Sequence, residues 1–287
     1  MSGPEESTSR LALVNGQHTD SLSIFDRGLA YGDGLFETIR IINSRPILLD
    51  EHLDRLAAGL SRLAIQLALN DVKAQCLLLI EQAGTAAPGN GVIKIIVTRG
   101  SGGRGFRYER QLQPTLIVSW HPQAEYPARL SEQGVVAHLC ETRLPDRPAL
   151  AGLKHLNCLE YVLAAAELPA VGADEGLLLD ASGCVIEASS SNVFFVMPGG
   201  SLQTPCLARA GVAGVMRAYI LDHVLPPLGM ACTIAPMSVS ELDSVGEMFV
   251  CNSVYGVRPV AAIAGRQLTI GDTSRRVQQA VNGLFDV

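Results

Sequence analysis

The sequence predicts a mixed α/β (α+β) fold in two domains, with a ligand cleft between them. Three observations carry this prediction. The chain has 287 residues, against roughly 100–200 for a typical domain. Both halves alternate β-branched strand segments with amphipathic helical segments. Between the halves lies HPQAEYPAR, residues 121–129, with two prolines and no periodicity, which reads as an interdomain linker. The domains expected are a smaller N-terminal one over 1–120 and a larger C-terminal one over 130–287. A chain this long buries about 75% of its unfolded surface and needs no disulfide or structural metal to fold.

The elements follow in order. Residues 11–15 read as a short strand turned by Asn15-Gly16. The segment 26–34 is too rich in glycine for a helix and resembles a shaped loop. Residues 35–42 alternate as a strand, Asn43-Ser44 turns the chain, and Asp50 is placed to cap a helix whose leucines at 53, 56, 60 and 63 share a face. A second helix is expected over 72–82, then strands over 91–99 and 115–120, separated by a Gly/Arg loop at 100–105. The second half offers strands over 134–140, 176–180, 185–188, 192–196, 247–252 and 258–263. Helices are expected over 157–167, 215–224, where Pro226-Pro227 stop it, and 273–285.

Composition excludes several classes of function. Hydrophobic residues make up 48% and charged residues 17%, which is globular rather than disordered. A net charge of −6 argues against nucleic acid and anionic membranes as partners. Mean hydropathy is +0.25, yet no apolar run approaches the ~18 residues of a membrane span; stretches such as 95–97 and 161–166 are core-sized. Residues 1–10 are polar, with Glu5 and Glu6, and do not read as a signal peptide. The 7 cysteines are odd in number, with no C-x-x-C pair. They read as small buried hydrophobes in a reducing cytoplasm, not as a disulfide framework or zinc site. The 6 histidines show no metal-binding spacing, so no metal is expected.

Lysine occurs only at 73, 94 and 154, so chemistry that needs an amine has three candidates. Lys73 lies in the first turn of a surface helix and reads as solvated. Lys94 interrupts a β-branched strand and reads as an outward or edge position. Lys154 lies in a loop between Gly152 and a helix start, where an amine can become a nucleophile. Residues 211–216 form a glycine-bearing turn into a helix. They suit either a tight strand-to-helix connection or an anion held by the amides of Val215 and Met216. Ser253 ends a strand with a hydroxyl. Arg55 lies off the leucine stripe, either as a surface arginine or as a phosphate grip. Glu187 stands in an apolar strand and needs a partner, either an arginine or a protonated ring nitrogen. One amine, one anion site, one hydroxyl, one arginine and one buried carboxylate together match the needs of pyridoxal 5′-phosphate.

The motifs RGLAYGDGLFETIR (27–40), His52 with Arg55, Thr98-Arg99-Gly100, Lys154, Glu187-Ala188-Ser189-Ser190-Ser191-Asn192 and Gly214-Val215-Met216-Arg217 occur in this order. In them the chain resembles the fold-type IV pyridoxal-phosphate enzymes, the class-IV aminotransferase superfamily, over nearly its whole length. The stretches RGSGGRG (99–105), LAGLKHLN (150–157) and AGVAGVMR (210–217) are most similar to the lyases that act on 4-amino-4-deoxychorismate. The resemblance implies a two-domain enzyme with the cofactor in the interdomain cleft. Lys154 would bind the cofactor aldehyde, Glu187 would face the pyridine nitrogen, and Arg55, Val215, Met216 and Ser253 would hold the phosphate. It implies a cytoplasmic homodimer that takes the small molecule 4-amino-4-deoxychorismate to 4-aminobenzoate and pyruvate for folate synthesis. Thr38, which stands where branched-chain aminotransferases carry glycine, would deliver a proton. Arg99 and Tyr31 would contact substrate. Tyr255 and Arg258 follow no fixed lyase pattern. The alternatives are a D-amino-acid or branched-chain amino-acid transaminase of the same fold, and a cofactor-binding relative without catalysis.

Overall fold

The structure is a computed structural model and describes residues 11–84, 89–109 and 111–286. The polar 1–10 stretch read above lies outside the described residues. The chain divides into two compact units. One comprises the described residues through Ala124 together with Lys154–Asn157; the other comprises Glu125–Leu153 and the chain from Cys158 onward.

The first unit is built on a six-stranded sheet. Strands β1 (Ala12–Val14) and β2 (Gln17–His18) meet at a turn in which Asn15 and Gly16 both have positive φ, 49° and 78°. That is the twist a two-residue hairpin prefers. The expected loop at 26–34 contains one helical turn, α1 (Arg27–Tyr31), begun by the Asp26 carboxylate accepting from the Gly28 amide and ended at Gly32. Local capping at both ends forms this turn despite its glycine content.

Strand β3 (Gly34–Ile42) alternates buried and half-buried residues and turns at Asn43-Ser44 into β4 (Arg45–Pro46). Helix α2 (Leu49–Leu63) buries Leu53, Leu56 and Leu60, each worth roughly 1.5–3 kcal/mol, but leaves Leu63 half-exposed. Asp50 does not cap it. Leu48, in the left-handed region, occupies the cap position, which puts Asp50 inside the first turn, accepting from Lys73 Nζ at 2.8 Å. Helix α3 (Leu69–Gly84) and strands β5 (Gly91–Thr98) and β6 (Thr115–Pro122) complete the unit. The strand order is β2-β1-β6-β5-β3-β4, and every pairing is antiparallel. Helix α2 packs on β3 and α3 on β6.

The second unit begins with α4 (Arg129–Glu132), β7 (Val135–Leu144), α5 (Leu159–Val171), β8 (Glu175–Asp180), β9 (Cys184–Ala188), β10 (Asn192–Val196) and β11 (Leu202–Thr204). Helix α6 (Val215–Tyr219) continues as a wider turn over Ile220–Val224. Then come β12 (Cys232–Ile234), β13 (Met237–Ser238), β14 (Glu247–Asn252), β15 (Gly256–Ile263), β16 (Arg266–Gln267) and α7 (Asp272–Asn282). The sheet order is β12-β11-β10-β14-β15-β7-β8-β9-β13, with β16 on β15. Its core joins Val135, Leu177, Val193, Phe195, Met248 and Val260. Contrary to the core-sized reading of 161–166, only Ala164 of α5 is buried, while Leu159, Val162 and Leu163 are exposed. Among the seven cysteines only Cys76, Cys140 and Cys251 are buried, and all seven are free thiols. No described helix is long and apolar enough to cross a membrane.

Lys154–Asn157 belongs to the first unit because it is stitched to the start of β3. The Phe36 amide donates to the Lys154 carbonyl at 2.9 Å, the Leu156 amide donates to the Gly34 carbonyl at 3.1 Å, and Leu35 and His155 form a bridge. Gly34 permits this crowding: a Cβ there would lie 2.3 Å from the Val97 carbonyl oxygen and 2.9 Å from Leu156. Gly34→Ala is therefore expected to destabilise the protein by roughly 1–3 kcal/mol through overpacking, read as a lower urea midpoint; an unchanged midpoint would show that the strand shifts to make room.

Candidate active site

Alternation along β3 and β5 sets a half-buried face on the first unit's sheet that carries Phe36 and Thr38 of β3 and Lys94 of β5. Lys94 lies directly opposite Thr38 in the antiparallel register. Lys154 Nζ sits 4.3 Å from the Phe36 ring centroid, and Lys94 Nζ sits 5.6 Å from the same centroid. Lys154, singled out from sequence, thus lies against Phe36, which shares a face of β3 with Thr38, also singled out. Of the two positions expected for Lys94, outward or edge, the structure shows the outward one. Its strand pairs on both sides, with β6 and β3, so it is not at an edge. The signal was the alternation, which puts Lys94 on the face away from Ile93 and Ile95.

Arg55 is not the surface arginine its helix position suggests; its side chain is only 15% exposed. Its Nε donates to Glu37 Oε1 at 2.8 Å, and an Nη donates to Glu37 Oε2. Glu37 also takes a 2.6 Å hydrogen bond from His52 Nδ1. Burial pushes the Glu37 carboxyl up, but the Arg55 charge and the hydrogen bonds from His52 and Arg55 outweigh it and hold the group below its ordinary value.

Arg99 is held by groups of its own unit. Its Nε and one Nη form a fork on Asp33, at 2.8 and 3.0 Å, and its Nη groups also donate to the Leu63 and Ala64 carbonyls. Tyr108 stacks 3.7 Å from the guanidinium. Four of its five N–H donors are thus engaged within the first unit. Tyr31 acts in the same region. Its hydroxyl accepts from the Gly105 amide at 3.0 Å, and Arg27 lies over its ring. Tyr31 and Arg27 thus tie down the 100–105 loop, Arg27 through the Gly102 and Gly105 carbonyls.

In the second unit, Glu187 sits on β9 and is 3% exposed. It accepts from the Tyr161 hydroxyl at 2.5 Å, from Asn192 Nδ2 at 3.2 Å and from the Val212 amide at 3.0 Å. Burial, and then the Glu187 charge, push the Tyr161 hydroxyl well above its ordinary pKa, so it stays protonated and donates. These three donors are neutral and do not cancel the carboxylate's charge. Tyr161 and Asn192 were missed as partners because nothing in the sequence places α5 and the 211–214 turn beside β9.

The loop 211–214 packs tightly here. A Cβ on Gly214 would meet Asn192 Oδ1 at 1.9 Å, and one on Gly211 would meet Ile186 at 2.7 Å and Glu187 at 3.2 Å. Gly214 caps α6 without a side chain, so the buried Val215 and Met216 present their amides ahead of the first helical bond, which runs from Ala218 to Gly214. Helix α6 packs on β14, whose end leads into Ser253, 9% exposed. A carboxylate for a ring nitrogen and a bare helix start for a phosphate therefore share one small region, and the residues present fit pyridoxal phosphate. Arg258 lies between the Tyr126 and Tyr255 rings, at 4.3 and 3.8 Å; Tyr255 is hydrogen-bonded to Ser191, whose hydroxyl donates to the buried Glu175.

The family model for amino-transferase class IV matches residues 34–263. Among curated proteins, the chain is similar to an aminodeoxychorismate lyase of Vibrio harveyi, with 33% identity over 94% of this chain and 98% of that protein. It is also similar to a putative branched-chain-amino-acid aminotransferase of Methanocaldococcus jannaschii, with 30% identity over 93% of both. Among solved structures, it is similar to 4-amino-4-deoxychorismate lyase from Pseudomonas aeruginosa, with TM-score 0.89 and 43% identity over 96% of this chain and 100% of that one. With a family match that spans both units and begins where Lys154 is stitched to β3, this chain belongs to the class IV aminotransferase family.

Proposed function

We propose that the chain is a pyridoxal-phosphate-dependent lyase that converts 4-amino-4-deoxychorismate to 4-aminobenzoate and pyruvate, a step that feeds folate synthesis. The observation that carries this reading is Thr38 on the same strand face as Phe36, over whose ring the Lys154 amine sits. Similarity to lyases of Vibrio harveyi and Pseudomonas aeruginosa supports it.

Pyridoxal phosphate, when bound, supplies an electron sink that makes a proton on an amine-bearing carbon removable. Lys154 would hold the cofactor through its amine and would serve as the base for the proton on C4 of the substrate. The Phe36 ring and the hydrogen bond to the Lys154 carbonyl fix where that amine can reach. Thr38 offers a hydroxyl proton to the terminal carbon of the enolpyruvyl group as its bond to C3 breaks. The carbocyclic ring then becomes aromatic, and no redox partner or water is consumed. Lys94, opposite Thr38, offers an ammonium to a substrate carboxylate, while Arg99 is engaged by Asp33. Glu187 would face the cofactor's ring nitrogen and favour its protonated form; Arg55, the Val215 and Met216 amides and Ser253 would hold its phosphate. We also assign a homodimer in the cytoplasm. Ile24 and Phe25, each 73% exposed, and Leu29, together with the Leu159, Val162 and Leu163 stripe of α5, are large apolar side chains left to solvent.

The test supplies purified holoprotein with 4-amino-4-deoxychorismate and follows 4-aminobenzoate fluorescence; efficient transamination without that product would overturn the reading. Borohydride should link the cofactor to Lys154, and Lys154→Ala should abolish turnover. Thr38→Ala should lower 4-aminobenzoate formation by about 10²–10⁴-fold, the usual contribution of a placed proton donor, with Thr38→Ser retaining more. Any transamination should fall far less, and an equal loss in both reactions would reduce Thr38 to a shaping role. Lys94→Met should raise KM by about 10-fold or more while changing kcat less, as removal of a charge-assisted contact predicts; an unchanged KM would remove Lys94 from the substrate site.

A further inference from the structure

Glu37 is a carboxylate in the middle of a strand, 1% exposed, between the buried Leu35 and Ile39. A buried charge needs compensation in place. Two side chains from α2 supply it, and they do so unequally. His52 is itself 1% exposed, and its Nε2 is buried with no hydrogen-bond partner among the described residues. A proton there would be an N–H without an acceptor. Burial, only partly offset by Glu37, keeps the ring neutral, and the charges of Arg55 and Lys154 act in the same direction. The charged groups facing His52 are thus Glu37, Arg55 and Lys154. His52 is a neutral donor through Nδ1, and the counter-charge in direct contact with Glu37 is Arg55.

Arg55 meets Glu37 edge-on. Nε and an Nη of the same side are engaged by the two carboxylate oxygens, the geometry that fixes both position and plane of a guanidinium. A long arginine side chain is otherwise free to choose among many rotamers and loses that freedom when an anion binds. We propose that Glu37 is a positioning residue for the anion-binding edge of Arg55, with His52 as the brace that holds the Glu37 carboxylate in plane. The inference rests on the reading that Arg55 holds the cofactor phosphate. It also makes a choice of sign. Glu37 lowers the net positive charge near the phosphate, so a purely electrostatic view predicts tighter phosphate binding without it. Positioning predicts weaker binding, because Gln would present an amide N–H to an arginine N–H and break the fork.

The experiment titrates apoprotein with pyridoxal phosphate and, separately, with pyridoxal, which lacks the phosphate, and follows cofactor absorbance. Glu37→Gln should weaken pyridoxal phosphate binding by about tenfold or more and pyridoxal binding by less than about twofold. In an Arg55→Lys background, which has no fork to position, the same substitution should cost less than about threefold. Unchanged or tighter binding in Glu37→Gln, or the same loss in both backgrounds or for both ligands, would overturn the proposal while leaving Arg55 as a phosphate ligand. If Arg55→Lys itself leaves pyridoxal phosphate affinity within about twofold of native, the Arg55 assignment falls, and the positioning role with it. Should Glu37→Gln fail to fold, His52 carries the same test. His52→Asn, which keeps a donor for Glu37, should bind pyridoxal phosphate nearly as the native protein does, and His52→Leu several-fold more weakly; equal affinities would overturn the proposal.

Discussion

The backbone pairing of Lys154–Leu156 with Gly34–Phe36 is the constraint on which the rest of the first unit's chemistry depends. Strand β3 is covered along its length on one side by β5, but on the other side β4 reaches only Ile41 and Ile42. That would leave the start of β3 with open hydrogen-bonding groups, which proteins rarely expose. The lysine segment closes that edge. Phe36, Glu37 and Thr38 follow on the same strand, so the amine, the aromatic platform, the carboxylate that grips Arg55 and the hydroxyl are indexed to one another by strand geometry. A strand fixes positions more tightly than a loop does, which is what a site that moves protons over short distances needs.

Buried carboxylates recur in both units and are handled in two ways. Asp33 and Glu37 face arginines, and those pairs are internally neutralised. Asp26 instead accepts from the Thr98 and Thr115 hydroxyls and the Gly28 amide, while Glu175 accepts from Ser189, Ser190 and Ser191. Glu187 likewise takes a hydroxyl, a carboxamide and a backbone amide, with the charge of Arg217 felt nearby. Neutral donors orient a carboxylate without cancelling its charge. For Asp26 and Glu175 the result is a tied loop. For Glu187, beside a helix start that favours anions, the result is a negative charge that suits a protonated heterocycle and a region that suits a phosphate.

How much of this was legible in the sequence depended on the range of the information needed. Period-two burial along β3, the leucine face of α2 and the positive-φ turns at 15–16 and 43–44 are local, and they read correctly. The two-residue strands β2, β4, β13 and β16 are too short to show any period. The α1 turn was missed because its caps, Asp26 and Gly32, outweigh its glycines. Long-range partners were not legible. Arg99 and Arg55 look alike as lone arginines near motifs, and only tertiary contacts show the first tied to Asp33 and two carbonyls and the second forked on Glu37. Apolar residues at helical spacing do not say what covers them, and Leu159, Val162 and Leu163 of α5 are exposed. Lys94 was discounted because strand register was unknown, and register alone puts it opposite Thr38.

That register has a chemical consequence. Two amines, Lys94 and Lys154, lie near the same Phe36 ring. A phenyl face attracts cations, so it lowers the cost of holding one charge there without abolishing the repulsion between two. Both amines thus draw on one aromatic face. On the reading proposed above, Lys154 would be the amine that bonds to an aldehyde and Lys94 the one that meets a carboxylate. The two differ in their chain connection. Lys154 rides on a segment hydrogen-bonded across the open edge of β3, whereas Lys94 is locked in the middle of the sheet, where its only freedom is its side chain.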